Sequence, residues 1–344
     1  VGVASPAVRL WLAKHPVPAR PGVRRDERVT VEFLTAGLGL VILLIAGDTL
    51  VKGAVNLSLR LGLPALIVSL TVVAFGTSAP ELLIAIDSVL NDVPGLALGN
   101  VVGSNTANVL MVLGVPAILA TMHTSMCNSR RDYLIMIAAT VLFIGLCFTG
   151  GTLTWMHGLV LLAALFIILG RSFREAMAHR AAGKEAEEEV EGADANLPGW
   201  RIALYLVLGL IGLPVGADLL VKSSVTIAEA YNVSDTVIGL TLVAIGTSLP
   251  ELATTVMAAL RRHADVALGN VIGSNMFNLL AITGIATLVG PIPVPPEFLR
   301  FDLWVMLAAS LIMIPFVFMR QDITRIWGIG LTAIYGAYLV FILI

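Results

Sequence analysis

Charge is scarce in this chain. Of 344 residues only 13% are Asp, Glu, Lys or Arg, against 58% hydrophobic; an ordinary soluble domain carries about 25% charged residues. So few charges cannot solvate the surface of a protein this size, and lipid must be the solvent for most of it. Cysteine is scarcer still. Cys127 and Cys147 are the only two, too few for a disulfide framework, and both lie in or beside apolar runs, where they read as helix-packing residues. His123, His157, His179 and His263 fall at expected helix ends or loops, with no spacing that would ligate a metal, and are assigned to surface or interface positions. There is no His-Glu-x-x-His and no Gly-rich phosphate loop. The one Gly-x-Ser sequence of interest, Gly-Thr-Ser-Ala-Pro, has Pro where a nucleophile elbow needs Gly. These absences argue against an enzyme, a nucleotide-driven pump and any cofactor. A net charge of −2 gives no footing for nucleic acid.

What is present is a series of apolar runs. A membrane-spanning helix needs about 20 mostly apolar residues. Windows of that size place ten spans near 32–57, 65–90, 95–120, 132–149, 153–170, 200–229, 236–260, 265–290, 300–319 and 324–344. Trp155, Trp200, Trp304 and Trp327 sit near span ends, where an interfacial aromatic belt is expected. Residues 1–30 hold Arg9, Lys14, Arg20, Arg24, Arg25 and Arg28 among four prolines and read as a basic surface tail, its apolar run too short for a signal or a span. Residues 171–199, with Lys184, Glu185, Glu187, Glu188, Glu189 and Glu191, read as a solvated linker.

The apolar runs contain a repeat. Gly-Thr-Ser-Ala-Pro-Glu-Leu at 76–82 returns as Gly-Thr-Ser-Leu-Pro-Glu-Leu at 246–252, and Gly-Asn-Val-Val-Gly-Ser-Asn at 99–105 returns as Gly-Asn-Val-Ile-Gly-Ser-Asn at 269–275. The offset of 170 holds without a gap from Ala46 to Gly114, and 27 of those 69 positions are identical, which chance does not give even between two apolar segments. The chain therefore divides into a first repeat, 31–170, and a second, 200–344, of five spans each. An odd number of spans turns the second copy over, so the fold class is an all-α integral membrane protein of ten helices in two inverted five-helix repeats. Loop charge gives the orientation. Arg60, Arg130, Arg131, Arg171, Arg174, Arg180, Lys184, Arg201, Arg261, Arg262, Arg320 and Arg325 share one side; beyond the basic tail, which votes the other way, the opposite side has Arg300. By the positive-inside tendency the linker is expected in the cytoplasm and both termini outside, in the plasma (inner) membrane.

Each repeat places polar residues at membrane depth, where they are expensive and mark function. Pro80 lacks an amide hydrogen and collides with the carbonyl four residues back, so a helix break is expected between Gly76 and Pro80, and likewise between Gly246 and Pro250. Carbonyls freed at such a break must be buried in protein or line a hydrated cavity. Thr77 and Ser78 lie four and three residues from Glu81, on one helical face; Thr247, Ser248 and Glu251 repeat the set. In the following span Asn100, Ser104 and Asn108 form a polar stripe, matched by Asn270, Ser274 and Asn278. Any one of these residues alone could be helix glue. The ensemble leaves two glutamates without an evident basic partner, and a buried unpaired charge shifts its pKa or finds a cation. Donors that are all oxygen favour a hard cation over zinc or copper. Calcium takes 6–8 oxygens, and sodium accepts the same kind of ligand at lower charge. Asp48 and Lys52, and their counterparts Asp218 and Lys222, read as local i,i+4 ion pairs.

The paired blocks resemble the two α-repeats of the cation/calcium exchanger superfamily, especially its sodium/calcium antiporter branch; the likeness is close over 46–114 and 216–284. The resemblance implies antiport of calcium against sodium by alternating access, with calcium and sodium ions and the lipid bilayer as partners. It carries ion ligation to Thr77, Ser78, Glu81, Ser104 and Asn108, and to Thr247, Ser248, Glu251, Ser274 and Asn278. The carbonyls of Ala74 and Ala244 match positions that coordinate sodium in the family. Many relatives carry Asp where Asn278 stands, so here only two fixed acids face the pocket, which leaves proton- or potassium-dependent calcium exchange open on the same scaffold, with a cation channel as a more distant alternative.

Overall fold

The computed structural model describes residues 25–181, 197–231 and 244–343. Residues 1–24 of the basic tail, most of the 171–199 linker and the start of the expected span 236–260 lie outside them. The described chain forms α1 (Arg25–Leu61), α2 (Ala65–Thr77), α3 (Ala79–Leu90), α4 (Pro94–Leu119), α5 (Arg130–Cys147), α6 (Trp155–Ala181) and α7 (Gly199–Ala230). It continues with the single turn α8 (Ala244–Gly246), then α9 (Leu249–Leu260), α10 (Ala264–Val289), α11 (Phe298–Phe318) and α12 (Arg325–Leu343). Two short strands, β1 (Thr152–Leu153) and β2 (Ile292–Pro293), pair antiparallel.

Among the described residues seven of these helices are long and apolar enough to cross a membrane, and α2 with α3 forms an eighth span bent by 42°. The two remaining expected spans fall on α5, which opens on the charged run Arg130, Arg131 and Asp132, and on α8–α9, whose α9 is only 12 residues long. The architecture is the all-helical membrane fold read from the repeat, and ten spans are consistent with it. The first helix begins at Arg25, earlier than expected, so the end of the basic tail is helical.

The two repeats adopt the same local conformations at their helix breaks and at the turns that follow. Ser78 (φ −84°, ψ 3°) and Ser248 (φ −88°, ψ 6°) break their helices alike. Past the next helix, Asp92 and Arg262 both turn into the left-handed region, at φ 59° and 60°. At each turn an amide closes the helix end: Val93 N donates to Ser88 O at 2.9 Å and His263 N to Ala258 O at 2.8 Å, the six-to-one bond of a Schellman ending.

Contacts between the repeats obey a two-fold rule. Leu153 pairs with Ile292, and an isolated bridge joins Met122 to Ile323. Shifting each partner of the first pair by the repeat offset, in opposite directions, produces the second. An added Cβ at Gly158 of α6 would lie 2.7 Å from the Gly284 oxygen of α10; at the equivalent Gly328 of α12 it would lie 2.7 Å from the Gly114 oxygen of α4. Reciprocal contact of this kind defines a pseudo-two-fold axis. Along it α4 and α10 are buried over most of their length, while α1, α6, α7 and α12 turn most of theirs outward. The long α1 and α7 pack on each other, Gly39 meeting Gly216 backbone to backbone.

Three features refine the sequence expectations. Asp48 bonds Lys52 at 2.9 Å, as Asp218 bonds Lys222 at 2.8 Å, but Asp48 also accepts from Arg261 at the end of α9. His263, expected at a surface or interface position, is only 5% exposed, and its amide closes the Schellman turn at the end of α9. Cys127 lies in a loop turn outside any long helix, whereas Cys147 is buried at the end of α5.

The Met122–Ile323 bridge is reinforced by side chains. Asp322 takes His123 Nδ1 at 2.8 Å and the Ser125 amide at 3.0 Å, and Thr124 Oγ1 donates to Gln321 O at 2.7 Å. Partial burial works against the Asp322 charge, but the bonds from Ser125 and His123 prevail and hold its carboxyl below the usual range. A depressed carboxylate stabilises the fold above its unfolded pKa, about 3.9 for Asp, and that contribution is lost as pH falls through the folded value. The clasp is therefore expected intact at neutral pH and loosened below about pH 4. Hydrogen exchange at the Ser125 amide should accelerate in D322N at pH 7; unchanged exchange would show that the carboxylate does not hold the loop.

Candidate ion-binding site

The site grows from the two helix breaks. α2 stops at Thr77, and α3 starts at Ala79 with Pro80 in its first turn, where a missing amide hydrogen costs nothing. The break falls at Ser78, two residues beyond Gly76. It puts Glu81 in the first turn of α3, and the same arrangement puts Glu251 in the first turn of α9. Both carboxylates thus occupy the positive end of a half-helix, which favours negative charge. Both glutamates are 1% exposed, and Glu81 lies within electrostatic reach of Glu251.

Helices α4 and α10 bring the polar stripes against these breaks. A π-helical turn, Ser69–Val73, interrupts α2, and another, Phe277–Ile282, interrupts α10; such turns often mark functional sites. α2 leans on α10 through small residues: Ser69 Oγ donates to Val266 O at 2.7 Å, and an added Cβ at Gly273 would sit 2.4 Å from Leu70 O and 2.6 Å from Ala74 Cβ. The bonds across the axis are polar. Ser78 Oγ donates to Glu251 Oε1 at 3.3 Å, Thr77 Oγ1 to Asn270 Oδ1 at 3.4 Å, and Asn108 Nδ2 to Asn275 Oδ1 at 3.1 Å. Thr77, Ser78 and Ser274 all stand beside the Glu251 carboxylate.

Of the residues singled out in the sequence, Ala74, Thr77, Ser78, Glu81, Ser104, Asn108, Ser248, Glu251, Ser274 and Asn278 are all buried in this centre. Thr247 is half-buried beside the second break, and Ala244 begins the helical turn before it. Not singled out as site residues were Asn270, whose amide donates to Glu251 O at 3.2 Å and Thr255 Oγ1 at 3.0 Å, and the Asn105–Asn275 pair. The repeated Gly-Asn and Gly-Ser-Asn sequences were the available signal for them.

The centre is rich in oxygen and poor in positive charge. Among the described residues neither glutamate has an ion-pair partner. The second oxygens of both glutamates, the hydroxyls of Ser248 and Ser274, the amide oxygen of Asn108 and the whole amide of Asn278 are buried without a hydrogen-bond partner. Native proteins leave few such atoms unpaired, and here they cluster around two carboxylates. No group of three His, Cys, Asp or Glu occurs among the described residues. A cation bound here would therefore meet two charges and several neutral oxygens, a set that suits sodium or calcium.

Two inverted helical repeats enclosing an unpaired carboxylate pair at the axis define a secondary transporter. The sequence model described as sodium/calcium exchanger protein matches residues 31–174 and 201–344, and the chain belongs to that family, whose members are transporters and not enzymes. It is 35% identical to the sodium/calcium exchanger MaX1 of Methanosarcina acetivorans, over 91% of this chain and 98% of that one. It is 34% identical to the inner membrane protein YrbG of Escherichia coli, over 80% and 85%. Its structure superposes on the sodium-calcium exchanger NCX_Mj, soaked without sodium or calcium, with a TM-score of 0.78 and 30% identity, covering 91% of this chain and 99% of that one.

Gly273 tests how tightly this centre is built. A methyl group there collides with the Leu70 carbonyl, and overpacking of this kind costs about 1–3 kcal/mol. G273A should lower the melting temperature in detergent and displace the Ala74 backbone; a melt equal to wild type would mean that α2 and α10 are not in register as described.

Proposed function

We propose that the chain carries calcium and sodium in opposite directions by alternating access, with Glu81 and Glu251 as the charged ligands of one shared site. The observation that carries this reading is the pair of repeat-related carboxylates, fully buried and, among the described residues, without a cationic side chain. Two unpaired charges inside a membrane protein are tolerable only if something neutralises them. One calcium ion does so, and so do two sodium ions. Thr77, Ser78, Ser104 and Asn108, with Thr247, Ser248, Ser274 and Asn278, supply the neutral oxygens, and the Ala74 and Ala244 carbonyls add ligands at the breaks. The ions are cargo; no cofactor enters the cycle.

Movement is assigned to α1 and α7. They are the longest helices among the described residues, lie on the outside, and meet over close backbone contacts that leave few interlocking side chains to unpack. Sliding of this pair against the other helices would open the site to one face at a time. The bilayer is the partner of their outward faces. The loop charges support a plasma-membrane orientation with both termini outside and the 171–199 linker in the cytoplasm, between repeats spanning 31–170 and 200–344.

In sealed vesicles an imposed sodium gradient should drive calcium uptake, and potassium or proton gradients imposed singly should not. Uptake driven only by protons or potassium would reassign the counter-ion. E81Q and E251Q each remove half the pocket charge facing a divalent ion, a loss of several kcal/mol equivalent to about 100-fold or more in transport. Because Gln also relieves repulsion between the carboxylates, both variants should melt no lower than wild type, and wild-type flux from either would refute the assignment. For orientation, a cysteine placed at Ala193 should react with an impermeant maleimide only after cells are opened; labelling in intact cells would invert the topology.

A further inference from the structure

We propose that Asn270 is a positioning residue of the ion site, acting through Thr77; the inference rests on the site reading given above. A hydroxyl can offer its oxygen to a cation only if its proton points elsewhere, and inside a membrane protein that proton needs an acceptor. Thr77 Oγ1 has Ala74 O at 3.3 Å in its own helix and Asn270 Oδ1 at 3.4 Å across the repeat interface, and the Glu251 carboxylate stands beside it. One proton cannot serve all three, and the carboxylate, like the Ala74 carbonyl, is itself a proposed ligand of the ion. When the Ala74 carbonyl, which already accepts from Ser78 N at 3.0 Å, turns its remaining lone pair to an ion, a Thr77 proton aimed at it would face the cation. Asn270 is the acceptor that resolves the conflict.

Asn270 is built for the task. It is completely buried, and its amide nitrogen is fixed by Glu251 O at 3.2 Å and Thr255 Oγ1 at 3.0 Å. Those two bonds leave the amide oxygen no orientation except toward Thr77. The same side chain therefore ties the first turn of α9, which carries one glutamate, to the hydroxyl ligand preceding the other. Its counterpart Asn100 differs: its amide nitrogen is buried with no hydrogen-bond partner.

The test is a double-mutant cycle on purified full-length protein in detergent, read by equilibrium binding of radioactive calcium without sodium, and by sodium competition. N270L and T77V should each weaken calcium binding about tenfold, the worth of one buried hydrogen bond. N270L/T77V should bind no more than about twofold worse than the weaker single variant, because both changes break one chain of contacts. Effects that multiply in the double variant, or unchanged calcium binding in N270L, would overturn the role. If N270L does not fold, N270A enters the same cycle with the same expectations. No calcium binding by the wild-type protein would overturn the site reading itself, whereas wild-type binding with an indifferent N270L removes only this inference.

Discussion

Two carboxylates that cannot be solvated and are not paired set the terms for everything else in this protein. A carboxylate in a medium of low dielectric is costly by many kcal/mol unless charge or dipoles compensate it. Here the compensation comes in layers. Each glutamate occupies the first turn of a half-helix, so that the helix itself is the first dipole to meet it. Hydroxyls and amides form the second layer. Neither supplies a full positive charge, and in the function proposed above the remainder falls to an ion that can leave again. A lysine at the same place would have made the fold cheaper and the site useless.

The helix breaks follow from that requirement. An unbroken span has its free amides only at the membrane surface, and Glu81 would then lie against a closed helical backbone. Pro80 and Pro250 permit a new helix to start at membrane depth, and the preceding Thr-Ser pair brings hydroxyls to the interruption. Small residues in the facing helix let the interrupted helix approach: Gly273 admits the Leu70 carbonyl in the π-helical turn before the break. Proline, hydroxyl, carboxylate and glycine thus form one device distributed over two helices, and the sequence repeat carries these residues twice.

This device was legible in the sequence because its parts are local and occur twice. An offset of 170 exposed both copies, and the odd span number per repeat gave the inversion. What the sequence did not disclose depends on contacts between distant positions. The Arg261–Asp48 pair joins residues 213 apart and has no counterpart in the other repeat, where Asn91 stands for Arg261. The strands at 152–153 and 292–293 are two residues long, with no periodicity to detect. Asn270 belonged to a visible stripe, but which way its amide points is set by Glu251 and Thr255. His263 read only as a surface or interface residue, and the choice between the two depends on a turn with a left-handed Arg262.

Perfect two-fold symmetry would defeat the function, since a site equally open or equally closed to both faces cannot alternate. The asymmetry is already visible within closely matching motifs. Ser78 donates to Glu251, while the hydroxyl of Ser248, its counterpart, is buried without a partner. Such differences lie in conformation, and an exchange of roles between the repeats could reverse them. The Asp48–Arg261 contact lies in sequence and cannot be reversed in that way. It ties the long α1 to the end of α9, whereas the described ion pairing of Asp218 stays within α7. The repeats therefore provide two mirrored arrangements, and the residues that break the repeat make those arrangements unequal in energy.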